Sequence, residues 1–404
     1  MGVKVIFLGG VWKKEDEQRI IDDSIGNVQI AANVFQTNII EGLDGNLAEP
    51  VTILGEVFIG AFPRRYRRAL IHSENWNHSG RENHKDYNIG FVNLPMIKHF
   101  DRYRQLKKYI EDICESNRTD TLYFIGYSMT YSIVEGLVYA KRICPNARTC
   151  LIVPDLPEYM NLGKRKSAVF YALKSFMSNK LYKDIQEIDC FVTLTRYIYD
   201  ELKVNKPYTV VEGIAAPARN HNDHEAKGAT RDFVYTGTLA QKYGVVDLVD
   251  AFTKVKGDDL RLLICGVGDG LEHILEVGKK DHRIQYLGTL SNEEARKLQR
   301  GAFVLVNPRS NKEDYTKFSF PSKTMEYMET GRPVLMYKLK GIPDEYDNYL
   351  IYIEKDIESS IIRVLHTDQK ELDAIGNRAR QFVLEEKNKL KQTEKILGLM
   401  NSIC

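Results

Sequence analysis

Lys323, Glu326 and Glu329 fall within one short stretch, residues 318–335 (FSFPSKTMEYMETGRPVL), whose residue types suit a nucleoside diphosphate. A lysine offers a cation to phosphate oxygens, and a carboxylate accepts hydroxyl protons from a ribose. Pro321 suits the first turn of a helix, where its missing N–H has no partner in any case, and Gly331 suits the position just past the helix end. The intervening residues therefore read as a short helix. Its N-terminus offers free N–H groups and a positive dipole end to an anion, with the Lys323 ammonium close by. Glu326 and Glu329, three residues apart, project from neighbouring faces. The same spacing also fits an ordinary amphipathic helix with solvated glutamates.

Other residues of interest are scattered. Gly266, Gly268 and Gly270 follow a strand pattern and precede a helical one, the setting in which a glycine-rich turn lets backbone approach a phosphate; a tight turn without a ligand is the competing reading. Asp155 sits at a strand end between two prolines, suited either to a crevice or to a helix N-cap. Lys242 and Arg309 are cations near glycine-rich and proline-serine segments. The nine histidines show no metal-ligand spacing and no Asp-x-Asp occurs, so no metal site is expected. The six cysteines show no CxxC pattern, and most lie in apolar contexts, as small buried hydrophobes in a reducing compartment do. Residues 161–183 carry six Lys/Arg and no acid, interleaved with apolar and aromatic side chains. Lys164, Arg165, Lys166 and Lys174 there suit an anionic membrane surface, as does the cluster Arg64, Arg65, Arg67 and Arg68; a solvated face is the plainer alternative.

These residues need elements to hold them. Short apolar runs alternate with helical patterns, as in βα units. The first series includes KVIFLGG, TLYFIGY, RTCLIVPD and CFVTLTR, and the second FVYTGT, LRLLICGVGDG, IQYLGT, AFVLVNPR and PVLMYK. A polar segment near residues 219–231 separates the two. The pattern predicts an α/β chain with two doubly wound parallel sheets, Rossmann-like, facing across a crevice, with ligands at the carboxyl ends of the strands. The domains read as 1–215 and 216–385, with 386–404 a C-terminal helix returning to the first. At 404 residues two ordinary cores are expected, and a net charge of +2 excludes recruitment of nucleic acid by global charge. No run of apolar residues is long enough for a signal peptide or a membrane span.

The stretch at 318–335 resembles the signature of the retaining GT-B glycosyltransferases of family 4, especially the bacterial surface-polysaccharide branch, in which Pro-Ser-Lys leads into Glu-Tyr-Met and then Gly-x-Pro-Val. The resemblance implies that Pro321, Ser322 and Lys323 meet the donor phosphates and that Glu326 binds the donor ribose. It also implies that Gly237, Thr238, Gly266 and Gly268 face the donor nucleotide, and that Gly9 and Gly10 form a loop near phosphate and acceptor. Asp155 then supplies an acceptor-side polar group, so that Asp155 and Glu326 are the catalytic candidates. Three positions depart from the family pattern. Phe318 stands where its first glutamate belongs, eight residues before Glu326, and Thr238 and Tyr243 stand where cations usually grip the diphosphate. Arg309 is the expected replacement cation, with Lys242 as the competitor.

The implied activity is metal-independent transfer of a sugar from a nucleotide diphosphate donor to a lipid-linked or polysaccharide acceptor, without a cofactor beyond the donor. The implied place is the cytoplasmic face of the plasma membrane, with a protein partner possible and no nucleic acid. A non-catalytic GT-B partner subunit and a non-hydrolysing nucleotide-sugar epimerase are the rival readings.

Overall fold

A computed structural model describes residues 2–26, 28–157, 177–215 and 230–403. The chain divides into two units, one made of Met1–Ile214 with Lys389–Cys404, the other of Ala215–Asn388.

Unit 1 is built on an eight-stranded sheet. Its strands are β1 (Val3–Gly9), β2 (Thr52–Gly55), β4 (Glu74–Trp76), β5 (Asp86–Asn88), β7 (Thr121–Tyr127), β8 (Ala147–Val153), β9 (Cys190–Thr193) and β10 (Tyr208–Val210). They lie in the order β10-β9-β8-β7-β1-β2-β5-β4; all neighbours are parallel except the edge pair β4–β5, and β3 (Leu70–Ile71) and β6 (Phe91–Val92) form a separate antiparallel pair. The central strands are buried on both faces, which parallel sheets require. The helices α1 (Glu17–Asp23), α2 (Ile30–Asn46), α3 (Ile97–Ser116), α4 (Tyr131–Ile143) and α5 (Arg196–Leu202) accompany this sheet.

Unit 2 has six parallel strands, β11 (Arg231–Thr236), β12 (Leu260–Cys265), β13 (Ile284–Tyr286), β14 (Val304–Asn307), β15 (Val334–Met336) and β16 (Ile351–Tyr352), in the order β13-β12-β11-β14-β15-β16. Successive side chains point to opposite faces of a strand. Phe233, Leu262, Ile264, Val304, Val306 and Leu335 therefore join one core, with α6 (Val245–Lys254), α7 (Leu271–Gly278) and α10 (Ile357–His366). Val234, Leu263, Leu305, Val334 and Met336 join the other, with α9 (Ser322–Glu329) and α11 (Gln369–Glu386). Each fully buried apolar side chain contributes about 1.5–3 kcal/mol, so the alternation alone fixes the register. The remaining helix, α8 (Asn292–Gly301), starts with a capping box between Ser291 and Glu294.

Two helices end the chain, α11 in unit 2 and α12 (Lys389–Asn401) in unit 1. Helix α12 lies along α2, where any Cβ on Gly42 would overlap the Lys389 carbonyl, and Asn46 donates to Leu390 and Thr393 at 2.8 and 2.9 Å. At the other end of this connection Ala215 N–H donates to the Lys387 carbonyl at 2.8 Å, pinning entry to and exit from unit 2 together. Among the described residues no helix is long and apolar enough to cross a membrane, and the five cysteines found are free and buried.

Candidate functional site

At the carboxyl edge of the unit 2 sheet, the loops after β11 and β12 meet helix α9. Leu239 N–H donates to the Val267 carbonyl at 2.7 Å, Gly270 N–H to the Leu239 carbonyl at 2.8 Å, and Gln241 N–H to Asp269 at 2.8 Å. Two glycines are required there. Gly237 has φ +120° and any Cβ on it would overlap the Lys323 ammonium; Gly266 has φ +132° and its Cβ would overlap the Gly237 carbonyl. Lys323 thus lies directly over the turn that ends β11, its Nζ 4.7 Å from the Tyr235 ring centre and 3.5 Å from the Tyr235 hydroxyl. Burial pushes its pKa down to about 8, while the Glu326 charge opposes the shift.

Behind this edge runs a buried polar network. The Tyr327 hydroxyl accepts from Thr236 N–H at 2.9 Å and donates back to the Thr236 carbonyl at 3.2 Å. The amide of buried Gln299 donates to Thr236 Oγ1 at 2.9 Å and to Glu326 Oε1 at 2.8 Å. Glu326 is half-buried, so one carboxylate oxygen is held by Gln299 on the carboxyl side of the sheet. Glu329 instead faces Arg296, 3.5 Å from its guanidinium. Such an assembly of a fixed carboxylate, a partly desolvated ammonium and a helix N-terminus has the chemistry to suit a ligand that is anionic at one end and rich in hydroxyls at the other.

The structure therefore brings together Gly237, Gly266, Lys323 and Glu326. Pro321 is the residue before the helix rather than its first, with φ −73° and ψ 102°, and α9 starts at Ser322. Thr238 is exposed, and its carbonyl accepts from the Tyr235 hydroxyl at 2.6 Å. Gly268 lies tight against the Leu239 carbonyl, which accounts for the glycine by loop packing alone. Arg309 stands between two tyrosines, 5.6 Å from the Tyr243 ring and 5.3 Å from Tyr315, and donates to Ser319 Oγ at 3.0 Å; its buried Nε has no partner. The Lys242 ammonium lies 5.3 Å from the same Tyr243 ring. Phe318 is buried at the end of the 3-10 turn Asp314–Phe318, and its ring packs inward where the family pattern has a carboxylate. Sequence reasoning passed over Gln299, Tyr235 and Tyr327; only the Glu-Tyr-Met order hinted at the last.

In unit 1, Gly10 N–H donates to Gln36 Oε1 at 2.8 Å in a buried contact, and the Phe58 ring fills the space beside Gly10. Its N–H is therefore already paired. Gly9 abuts Gln36 and Phe7. Asp155 follows β8; solvent reaches its side chain, yet the surrounding protein excludes enough water to raise its pKa. Its alternative N-cap role concerns residues outside those described, as do Lys164, Arg165, Lys166 and Lys174. The expectation of no histidine cluster fails. His78, His84 and Asp86 have ligand atoms within 4.8 Å of one another, because the β4–β5 hairpin folds residues together that match no consecutive metal motif.

Residues 230–367, which span all six strands of the unit 2 sheet, match the family model described as glycosyl transferases group 1. The matched residues all lie within unit 2. Solved structures resemble the whole chain. A sucrose-phosphate synthase from Thermosynechococcus elongatus is 14% identical with a TM-score of 0.60, covering 99% of each chain. TarM is 12% identical with a TM-score of 0.59, over 98% of this chain and 99% of that one. Anabaena HepE, solved in complex with UDP, is 11% identical with a TM-score of 0.55, over 99% of this chain and 100% of that one. At these identities the likeness establishes the GT-B fold. A search of curated sequences finds no match. The site described above lies within the residues that match, at the carboxyl edge where ligands of doubly wound sheets bind.

Proposed function

We propose that this protein is a retaining, metal-independent glycosyltransferase that takes a sugar from a nucleotide diphosphate donor. The observation that carries the reading is Glu326, fixed by Gln299 on the helix whose N-terminus and Lys323 face the glycine turns of the group 1 domain. Glu326 binds the donor ribose, and Gly237, Gly266, Ser322 and Lys323 meet the diphosphate. Arg309 supplies the second cation that Thr238 does not. Helix dipole and cations stabilise the charge that develops on the departing diphosphate, which is where such a reaction needs help. Asp155 is the acceptor-side group, and the acceptor is a lipid-linked or growing surface glycan. Exposed Arg64, Arg65 and Arg67, with the basic stretch 161–183, suit peripheral attachment to an anionic membrane.

HepE was solved with UDP, which makes UDP the first nucleotide to try. Calorimetry with UDP, followed by hydrolysis of a panel of UDP-sugars, tests the reading. Binding and slow donor hydrolysis that both fall in Lys323→Ala and Glu326→Ala support it. Binding without any turnover, alone or with glycan acceptors, favours a non-catalytic partner subunit, to which the buried Phe318 also points.

A further inference from the structure

Unit 1 holds a compact group of ligating side chains that the transfer reaction does not use. His78 Nδ1 lies 2.7 Å from Asp86 Oδ2, and His84 Nε2 lies 3.0 Å from Asp86 Oδ1, so each carboxylate oxygen faces one imidazole nitrogen. Their side chains are 14%, 10% and 0% exposed for His78, His84 and Asp86. Backbone N–H groups of Ile53 and His78 donate to Asp86 at 2.9 and 2.8 Å and hold it in place. The far nitrogen of His78 lies 2.8 Å from Asp44 Oδ2, and Asp44 Oδ1 accepts from Val51 N–H at 2.8 Å. This chain from carboxylate to imidazole to a shared centre is the outer-shell arrangement that orients a metal-binding histidine and raises its basicity.

We propose that His78, His84 and Asp86 form a structural binding site for a divalent transition metal of the zinc class, with Asp44 as the positioning residue behind His78. Zinc ligands lie about 2.0–2.2 Å from the ion, so tetrahedral ligand atoms stand about 3.3–3.6 Å apart. The imidazole nitrogens of His78 and His84 stand 2.7 and 3.0 Å from the Asp86 oxygens, and the three ligand atoms all lie within 4.8 Å of one another, so side-chain rotations must adjust the set around an ion. Imidazole and carboxylate together suit zinc better than calcium or magnesium, which prefer oxygen alone. His84 also lines an open cavity of about 540 Å³ with Thr52, Arg81 and Tyr87, through which the ion and a fourth, water ligand enter. The bound ion would tie α2, the start of β2 and the β4–β5 hairpin together, toward the amino ends of the strands.

The test uses the full chain, stripped with a chelator, desalted and titrated with Zn²⁺ alone against a chromogenic indicator, with thermal melting in parallel. One tight equivalent and a raised melting temperature are expected for the wild type. His84→Ala and His84→Gln should lose that equivalent and the melting shift, and Asp44→Asn should bind about 10–100-fold more weakly. His84→Gln guards against a variant that fails to fold, and Co²⁺ substitution in the wild type gives an independent readout through the visible bands of tetrahedral coordination. Equal Zn²⁺ binding by wild type and both His84 variants, or no tight equivalent in the wild type, overturns the site and leaves a hydrogen-bonded ion-pair network.

Discussion

The Gln299 side-chain amide bonds the Glu326 carboxylate at 2.8 Å while its oxygen, buried, has no partner. A buried amide half satisfied in this way costs about 1–3 kcal/mol, which the chain retains at a position where it fixes one carboxylate. Glu326 and Glu329 are thereby given different tasks, since Glu329 is engaged by Arg296.

Glu326→Ala should weaken nucleotide binding by about 1.5–3 kcal/mol, the range for a hydrogen bond to a charged group. Glu329→Ala should leave affinity nearly unchanged, and Gln299→Leu should fall between them. Calorimetry with UDP ranks the three; equal affinity for wild type and Glu326→Ala refutes the ribose assignment.

Lys323 gives a pH signature. Its pKa is about 8 in the folded chain against 10.5 for an ordinary lysine, so folding disfavours the ammonium. The penalty is fully present below pH 8 and disappears as pH rises toward 10.5. After allowance for its partial exposure, Lys323→Met should stabilise the nucleotide-free protein by about 2 kcal/mol at pH 7, and by much less at pH 10. A bound diphosphate restores the ammonium, so binding near pH 9 should take up a proton. Calorimetric enthalpies that do not vary with the ionisation enthalpy of the buffer would contradict this.

Arg309→Lys should reduce turnover and Arg309→Ala reduce it further, because a planar guanidinium grips two phosphate oxygens and an ammonium does not. Lys242→Ala should stay near normal. The reverse ranking in a donor-hydrolysis assay would assign the replacement cation to Lys242.

Excess EDTA should leave donor hydrolysis intact if helix dipole, Lys323 and Arg309 suffice for the diphosphate. Loss of activity that magnesium or manganese restores would show a metal-dependent transfer. A chelator effect on melting alone, reversed by zinc, concerns the His78 group instead.

Much of unit 2 was legible because its strands are short buried runs ended by glycine or proline, and because Pro321, Lys323, Glu326 and Gly331 are close in sequence. Gln299 was not, since a glutamine in a charged helix carries no sign that it will be buried against Thr236 from 63 residues away. The histidine group was hidden for a different reason. His78, His84 and Asp86 lie within nine residues, but their spacing matches no consecutive metal motif, and the edge strands β4 and β5 that fold them together are too short for a clear alternation. Gly10 shows the converse. Glycine pairs suggest ligand approach, but here the neighbouring Phe58 ring already demands the missing side chain.

The hydrogen bond between Ala215 and Lys387 has a consequence for biosynthesis. Unit 2 is an insertion whose two ends meet, so a ribosome delivers it complete while unit 1 still lacks α12. The apolar face of α2 that α12 covers stays open throughout that interval. The first domain to be made is thus the last to be finished, and a nascent chain stalled before residue 389 would expose that face to chaperones or to aggregation.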